Sequence, residues 1–246
     1  MNYSVIVPAH NEGAHIEASV NAFIGALPQS VQSVLSEVIL VENGSRDNTA
    51  EACRRLAHAH PDLVRVLSLG RGSYGEAIKR GMIQSTGTHL SILECDFLDA
   101  DFVARSIAYF EAGKGRFIVA SKRHPESIDG RPFKRRLLTL GFNLLLNVFL
   151  RYPGSDTHGL KSIEAGLAKK LCALAVTTDE VFQTEIVLIA WRLGNNVEEF
   201  PIRIEERRAE PVSVARRFPK VLTFLLELRR SLKRFPPRPS ASGHGA

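Results

Sequence analysis

The chain has 246 residues, 44% of them hydrophobic and 24% charged, which is enough to bury a full core as one domain or as one domain with an appendage. Its three cysteines are far apart and odd in number, so they provide neither a disulfide framework nor the spacing of a zinc site. We therefore expect a reducing, cytoplasmic environment. The first residues lead directly into a strand-like segment, so no export is expected.

The net charge of +6 is concentrated at the C-terminal end. Residues 1–202 carry 21 basic and 22 acidic side chains, whereas residues 203–246 carry 11 basic and 4 acidic ones. A basic segment of this kind can meet phospholipid, nucleic acid or only water. We do not expect a nucleic-acid partner, because stacking aromatic side chains are not interleaved with the charge.

Apolar and β-branched runs alternate with helical patterns along the first half of the chain. Strands are predicted at residues 3–8, 37–41, 64–68, 89–93 and 116–120, with helices near residues 12–27, 47–60, 73–86 and 102–112. This alternation predicts an α/β fold, a single Rossmann-like domain with a mostly parallel central sheet flanked by helices. In such sheets ligands bind at the carboxyl ends of the strands.

The fourth predicted strand ends in two carboxylates one residue apart, Glu94 and Asp96. Side chains alternate faces along a strand, so both carboxylates would point the same way where the strand ends. Two such oxygen ligands can share one divalent cation, which can in turn hold a diphosphate leaving group. The pair suggests sugar transfer from a nucleotide-sugar, and the alternative is that the acidic residues only solubilise a loop.

Polar clusters also follow the first two strands, at residues 8–12 and 42–47. Residues 43–45 could form only a turn, and Asp47 could be only a helix N-cap. Residues 71–75, Arg-Gly-Ser-Tyr-Gly, either cradle a phosphate or simply lead into a helix. Three polar clusters at successive strand ends favour a ligand site over three unrelated turns.

The order of these segments resembles glycosyltransferase family 2. The matching segments are VIVPAHNE (5–12), VENGSRDNT (41–49), GSYGEA (72–77) and ECD (94–96). Later segments are similar to the dolichyl-phosphate mannose synthase-like branch, whose members are polyprenyl-phosphate glycosyltransferases. They are DTHGLK (156–161), FQTE (182–185) and EFPI (199–202), followed by Arg207. The resemblance extends over roughly residues 3–215.

The resemblance implies a GT-A fold, a GDP- or UDP-sugar donor, a divalent cation (Mg²⁺ or Mn²⁺) and inverting transfer of mannose or glucose to a polyprenyl phosphate. By position it implies a nucleotide pocket formed by Pro8, His10, Glu12, Glu42 and Gly72. It implies metal ligation by Glu94 and Asp96, and catalytic roles for Asp96, Arg207 and Glu185. Contacts to the acceptor phosphate are implied for Lys122, Arg123, Arg131 and Arg135.

The chain departs from the family pattern at several of these positions. Glu42 and Glu94 stand where the family commonly has Asp, and Leu98 stands where relatives often carry Gln. Glutamate is a competent ligand one methylene longer, and Asp99 could replace the ligand missing at position 98. The departures leave open a donor other than a mannose nucleotide, or a catalytically weak subunit that only binds nucleotide-sugar.

The acceptor chemistry also leaves two interpretations. A lipid phosphate is already ionised at neutral pH and needs positive charge rather than a base, which Arg207 and the basic residues between Lys122 and Arg136 could supply. A hydroxyl of a soluble or saccharide acceptor would need a base, and Asp179 or Glu180 could provide one.

Two amphipathic stretches bear on membrane contact. Residues 137–150, bracketed by Arg136 and Arg151, are too short to span a bilayer, which takes about 20 residues; they either lie on the membrane or form a core helix. Residues 218–235 place leucines on one face and basic residues on the other, so this helix either lies on anionic lipid or packs on protein.

The predicted organisation is a glycosyltransferase domain at 1–215, a basic amphipathic helix at 216–235 and a disordered tail at 236–246. We expect peripheral attachment to the cytosolic face of the membrane, directly or through a separate membrane subunit.

Overall fold

The computed structural model describes residues 1–204 and 214–236. In chain order the elements are β1 (Tyr3–Ala9), α1 (Ile16–Ala26), α2 (Gln29–Gln32), β2 (Leu35–Asn43), α3 (Thr49–Ala59), β3 (Val64–Leu69), α4 (Tyr74–Gln84), β4 (His89–Ile92), α5 (Ala100–Glu111), β5 (Phe117–Ser121), β6 (Ile128–Asp129), α6 (Phe133–Leu150), β7 (Lys161–Glu164), α7 (Ala165–Leu174), α8 (Val181–Arg192), β8 (Glu198–Pro201), β9 (Arg203–Ile204) and α9 (Val214–Leu232).

The chain forms two units that share strand β5. The first unit consists of Met1–Ile118, Leu160–Leu174 and Thr178–Glu180, and the second of Val119–Gly159, Ala175–Thr177 and Val181–Ala246. The predicted tail at 236–246 lies outside the described residues apart from Pro236, as does the segment from 205 to 213.

Strand β1 is buried along its whole length, because it has hydrogen-bonded neighbours on both edges and apolar cover on both faces. Its sequence reads as a nearly continuous apolar run, which is typical of a central parallel strand. In the first unit the strand order is β3-β2-β1-β4-β7, and β5 follows next to β7. All of these pairings that involve β1 or β2 are parallel, and β4 pairs with β7 in the antiparallel direction.

Helices α3 and α4 lie against these strands and connect them in the manner of parallel βαβ units. Every strand and helix predicted in the first half of the chain is present, with boundaries shifted by at most four residues. The largest shift is at α1, which begins at Ile16 because residues 13–15 form a turn. The predicted α/β class with a mostly parallel sheet flanked by helices is confirmed.

The second unit is built around α8, whose residues from Val181 to Trp191 are all buried. Helix α9 packs against α8 and α6, and its Leu225, Leu228 and Leu232 are buried. Of the two interpretations of this stretch, the described part of α9 fits packing on protein. Strand β8 adjoins β5, and β6 pairs in parallel with β9. None of the described helices has both the length and the apolar character needed to cross a membrane.

A buried carboxylate ties three segments of the first unit together. Glu37, 6% exposed, accepts hydrogen bonds from the Ser4 hydroxyl (2.8 Å) and from the Thr86 amide and hydroxyl (2.7 and 2.8 Å), and it forms an ion pair with Arg65 (2.7 Å). Burial opposes the ionisation of Glu37, but these hydrogen bonds outweigh it and hold the pKa of the carboxyl below its ordinary value.

We predict that Glu37→Gln lowers the free energy of unfolding by about 1–3 kcal/mol at pH 7, because an amide cannot accept at both oxygens from the donors around it. A folded-state pKa below the unfolded value gives stability that is present above the unfolded pKa and is lost as the pH falls through the folded pKa. Denaturant unfolding of both proteins should therefore show a difference that narrows as the pH falls below about 4.

The matched control is Glu17→Gln, which removes an ion pair with Arg55 in which both side chains are well exposed. Such a surface pair contributes about 0–1 kcal/mol, so the control should remain close to the wild type. Equal losses in the two variants, or a difference that does not change with pH, would contradict the role given to Glu37.

Candidate functional site

The loops after β1, β2 and β3 meet at the carboxyl edge of the sheet in the first unit. His10 Nδ1 lies 2.7 Å from the carbonyl oxygen of Asn43, and because a carbonyl can only accept, Nδ1 carries the proton. The Asn43 side-chain oxygen accepts from the Ser73 amide at 2.7 Å. A Cβ added at Gly72 would lie 3.3 Å from the His10 ring. The structure therefore brings His10, Asn43 and Gly72 together, as expected for a ligand site at this edge.

The turn after β2 is built for close approach of main chains. Gly44 has a φ of +62°, and a Cβ there would lie 2.6 Å from the Arg71 carbonyl carbon, so glycine is needed both for conformation and for space. Glu42 is buried and its carboxylate accepts from the Ser45 amide at 2.6 Å. Strand β2 thus extends through Asn43 and the chain bends at Gly44, so only part of residues 43–45 departs from the strand, and the Glu42 carboxylate holds Ser45 beside it.

Asp47 joins the loop after β2 to the loop after β1. It accepts from the Gly13 amide (3.1 Å) and from the amide and hydroxyl of Thr49 (3.0 and 2.5 Å), and the Thr49 hydroxyl oxygen accepts from the Glu12 amide (2.8 Å). The hydrogen bond from the Thr49 hydroxyl holds the pKa of Asp47 below its ordinary value. The N-cap of α3 is Asn48, so Asp47 serves the start of the helix from one position earlier and also fixes Glu12.

The residues predicted to bind the nucleotide differ in their exposure to solvent. Pro8 is buried within β1 and Glu42 is buried below its turn, whereas Glu12 is half-buried and His10 and Gly72 are exposed. An incoming nucleotide can therefore reach His10, Gly72 and part of Glu12 directly. A role for Pro8 and Glu42 in binding a nucleotide stays a prediction.

Glu94 and Asp96 lie in a tight turn rather than on a strand. Strand β4 ends at Ile92, and the Phe97 amide donates to the Glu94 carbonyl at 2.9 Å. Glu94 and Phe97 form an isolated antiparallel bridge, with Cys95 and Asp96 at the tip. The expectation that the two carboxylates share a face through strand alternation is wrong, because the strand has already ended. Glu94 is half-buried and Asp96 is exposed.

Tyr74 donates a hydrogen bond from its hydroxyl to the Glu94 carboxylate. No role was predicted for this tyrosine from the sequence. It is the first residue of α4, whose start is fixed by the Thr178 carbonyl oxygen, an acceptor for the Ser73 hydroxyl (2.7 Å) and the Glu76 amide (2.9 Å). A Cβ at Gly75 would lie 2.5 Å from the main chain of Thr178. No signal in the sequence pairs Tyr74 with Glu94, since only the fold brings them together.

The described residues contain no group of three or more His, Cys, Asp or Glu side chains arranged to hold a metal ion. The turn offers the two carboxylates of Glu94 and Asp96, which are hard oxygen donors of the kind that Mg²⁺ and Mn²⁺ prefer. Asp99 is the N-cap of α5, and its side chain accepts a hydrogen bond from the Phe102 amide at 2.9 Å, so this carboxylate caps the helix. In their chemistry these two carboxylates fit a divalent cation, which would need further ligands in addition to them.

The second unit has a basic cavity of about 470 Å³. Its lining has one carboxylate, that of Asp129, and four cationic side chains: Lys122, Arg123, Arg131 and Arg136. Its apolar wall consists of Phe133, Leu137 and Leu140 from α6. Three of the four residues predicted to contact an acceptor phosphate, Lys122, Arg123 and Arg131, thus line one cavity. The side chain of the fourth, Arg135, lies outside the described part of the structure.

Two of these cations are held by carboxylates. Lys122 Nζ lies 3.5 Å from Asp156, which is buried; burial opposes the ionisation of Asp156, but the charge of Lys122 and the His158 amide outweigh it and lower the pKa of Asp156 to about 2. Arg131 makes a two-point ion pair with Asp129, at 2.9 and 2.8 Å. Both cations are therefore oriented before any ligand binds.

Glu185 is fully buried in α8. Its carboxylate accepts from the Val176 amide (3.1 Å), from the Thr177 amide and hydroxyl (2.8 and 2.5 Å) and from the Ser231 hydroxyl of α9. In this arrangement the carboxylate orders the chain around it rather than facing solvent, so a catalytic role for Glu185 stays a prediction. Arg207 lies outside the described residues.

The chain was compared with known families and proteins. Residues 4–163 match the family described as Glycosyl transferase family 2. Glycosyltransferase AglD of Haloferax volcanii is 28% identical over 219 residues, which are 87% of this chain and 34% of that protein. The dolichyl-phosphate beta-glucosyltransferases of Dictyostelium discoideum and Saccharomyces cerevisiae are 26% and 25% identical over 85% and 86% of this chain. The chain spans 69% of the length of each of these two enzymes.

Among solved structures, glucosyl-3-phosphoglycerate synthase from Mycobacterium tuberculosis in complex with UDP superimposes with a TM-score of 0.67 at 20% identity, over 96% of this chain and 81% of that one. Mannosyl-3-phosphoglycerate synthase from Rubrobacter xylanophilus gives 0.68 at 16% identity, over 100% and 78%. At these identities the likeness establishes the fold, which is the predicted GT-A fold. The family match covers well over half of the chain, so this protein belongs to glycosyl transferase family 2 and is a glycosyltransferase.

Proposed function

We propose that the protein transfers a hexose with inversion from a nucleoside-diphosphate sugar to a polyprenyl phosphate, with the help of a divalent cation. The observation that carries the proposal is the cavity of the second unit, where four cations stand beside an apolar wall of Phe133, Leu137 and Leu140. A phosphate attached to a long apolar chain has both of the properties that this lining complements. The names of the dolichyl-phosphate glucosyltransferases support the same acceptor class.

The donor half of the reaction is assigned to the first unit. His10 and Gly72 are exposed beside each other at the carboxyl edge of the sheet, where nucleotides bind in open α/β sheets. Glu94 and Asp96 would hold the cation against the diphosphate, and Tyr74 would keep the Glu94 carboxylate in place. When bound, the cation supplies positive charge that offsets the charge of the departing diphosphate. Asp96, exposed at the tip of the turn, is the carboxylate best placed to reach a ligand.

The acceptor half is assigned to the basic cavity. A phosphate monoester is ionised at neutral pH, so its oxygen can attack the anomeric carbon without a general base. The chain must then hold two anions in one reaction, and oriented cations do this better than mobile ones. Lys122 and Arg131 are already oriented by Asp156 and Asp129, and Arg123 and Arg136 add further charge to the lining. Arg207 is proposed as an additional cation on the basis of the resemblance.

We propose UDP-glucose as the donor to test first and GDP-mannose as its rival. The Dictyostelium discoideum and Saccharomyces cerevisiae relatives, of which this chain spans 69% each, are named as glucosyltransferases. A Mycobacterium tuberculosis structure of the same fold was solved with Mn²⁺ and UDP-glucose. Mannose is the other sugar that the resemblance in the sequence implies.

A hydroxyl acceptor is the second candidate, because Asp179 and Glu180 are both exposed carboxylates that could act as a base. They follow Thr178, which fixes the start of α4. The structural neighbours named phosphoglycerate synthases form a class with such an acceptor. The apolar wall of the basic cavity has no purpose in that reaction, and this favours the lipid phosphate.

The proposal predicts transfer of labelled sugar into an organic phase. Radiolabelled UDP-glucose and GDP-mannose are offered separately with polyprenyl phosphate and Mn²⁺ or Mg²⁺, and the lipid extract is counted. We expect label in lipid with one donor and its loss on chelation of the metal. Label that stays aqueous while nucleotide-sugar still binds would leave only a hydroxyl acceptor or a nucleotide-sugar-binding subunit.

A second prediction concerns the acidic turn. Glu94→Ala should lower turnover about 100-fold or more, since removing one group that stabilises developing charge has an effect of that order. The control is Asp101→Ala, an exposed carboxylate of α5 paired only with Arg105 among the ion pairs of the described residues, and its turnover should stay within about twofold of the wild type. Thermal unfolding of both variants shows whether the fold is retained. Wild-type turnover in Glu94→Ala would remove the acidic turn from the mechanism.

A third prediction tests Tyr74 as a positioning residue. Tyr74→Phe deletes only the hydroxyl that donates to Glu94, and loss of such a supporting bond typically weakens metal affinity by about 10–100-fold. Titration of Mn²⁺ into the UDP complex, followed by electron paramagnetic resonance, measures this affinity without turnover. The control is Tyr109→Phe, which removes a hydroxyl bonded to the Lys114 carbonyl oxygen (3.1 Å). Equal Mn²⁺ affinity in both variants would show that Tyr74 does not support the site.

A further inference from the structure

Helix α6 presents an apolar stripe to solvent. Its exposed large side chains include Phe133, Leu137, Leu140, Leu144 and Val148, with 43–69% of their surface accessible. At 100° per residue these five positions fall within an arc of about 80° on the helix. A different face of α6, with Asn143, Leu146 and Leu150, is buried. The stripe is therefore surplus to the packing of α6 in the second unit, and a continuous exposed patch of this kind marks an interaction surface.

Positive charge lies at both ends of the stripe. Helix α6 contains no acidic residue, three basic residues lie in its first turns at positions 134–136, and Arg151 follows it immediately. Arg136 and Arg151 are both exposed. The helix has 18 residues, which is about 27 Å of length, and its ends both carry cations. The partner of this surface must therefore combine an apolar interior with negative charge along its border.

The stripe is continuous with the basic cavity. Phe133, Leu137 and Leu140 belong to the stripe and also form the apolar wall of the cavity that contains Lys122 and Arg123. One surface thus passes from a cluster of cations to exposed hydrocarbon without a break. This sequence of cations and then hydrocarbon complements a lipid leaflet, in which anionic headgroups lie directly above acyl chains.

We propose that α6 lies in the plane of an anionic lipid bilayer, with the stripe inserted at the boundary between headgroups and acyl chains. A helix with aromatic and leucine side chains on one face and flanking Lys or Arg is suited to this position. A second copy of the chain is disfavoured as occupant, because it would bring the same cations against each other. The inference rests on the proposed function in one respect, that a polyprenyl phosphate would be presented to the cavity from the same leaflet.

The experiment measures binding of the full chain to vesicles of phosphatidylcholine alone and of phosphatidylcholine with an equal part of phosphatidylglycerol. The wild type should cosediment with the anionic vesicles and much less with the neutral ones. The double variant Leu144→Gln with Val148→Gln changes two exposed residues that lie outside the cavity, and it should bind the anionic vesicles at least about tenfold more weakly.

The matched control is Ile83→Gln with Leu226→Gln, which also replaces two exposed apolar residues, on α4 and α9. It should bind the anionic vesicles as the wild type does. Equal binding by the stripe variant and the wild type would overturn the proposal. So would a stripe variant that instead turns a dimer into a monomer in sedimentation analysis, because the stripe would then face a second copy.

Transfer assays separate this inference from the proposed function. On a short-chain polyprenyl phosphate in detergent, the stripe variant should retain wild-type turnover, and on the same lipid embedded in anionic vesicles it should lose it. A wild type that binds vesicles but transfers sugar to neither substrate would refute the proposed function and leave the docking surface standing. Transfer without any vesicle binding would refute the docking surface alone.

Discussion

The parallel pairing of β1 with β2 and β4 is the constraint on which the rest of the structure depends. Parallel neighbours cannot be joined by a hairpin, so each connection has to return along the sheet, here through α1, α3 and α4. The carboxyl ends of these strands then lie at one edge, and the loops that follow them meet there. Strand β1 is buried on both faces and paired at both edges. The loop that follows it therefore begins from a fixed backbone position.

The loops that meet at this edge are fixed to one another by polar bonds, and this gives several residues two roles. Asn43 accepts from the Ser73 amide and presents its carbonyl to His10, so it joins three loops. Asp47 joins the loops after β1 and β2, because its carboxylate accepts from the amides of Gly13 and Thr49. A turn or cap at such a position is therefore compatible with a ligand site, because rigid loops are what hold ligand-binding groups in place. The structural and the functional interpretations of these clusters do not exclude each other.

The fold of the first half could be predicted because its signal is local. Strands such as β1 and β2 are continuous apolar runs bounded by polar clusters, and the helices between them have their own periodicity. The position of the acidic turn could be predicted, but its backbone conformation could not, because the sequence around Glu94 and Asp96 is equally compatible with a strand and a turn. Tyr74 could not be assigned, because its partner Glu94 lies 20 residues further along and meets it only in the fold.

Glu185 shows the same limit at a buried position. The resemblance pointed to a catalytic role for this glutamate. In the fold its carboxylate faces main-chain amides at Val176 and Thr177, two donors that carry no side-chain signature in the sequence. Asp156 differs, since its partner Lys122 is charged, but the separation of 34 residues conceals this pair equally well. Long-range pairing decides what each acid does, and one sequence does not reveal pairing.

Helices α6 and α9 show where an amphipathic pattern is informative and where it is not. In α9 the buried leucines 225, 228 and 232 form one apolar face, as packing on protein requires, and Leu226 is the one large hydrophobic side chain of its described part that is exposed. Helix α6 has apolar residues on two faces, since Leu146 and Leu150 are buried while Leu144 and Val148 are exposed. An interior contact accounts for the first face and leaves the second without a partner among the described residues. The surplus of exposed apolar surface, rather than amphipathicity itself, is therefore the property of α6 on which the proposed lipid contact rests.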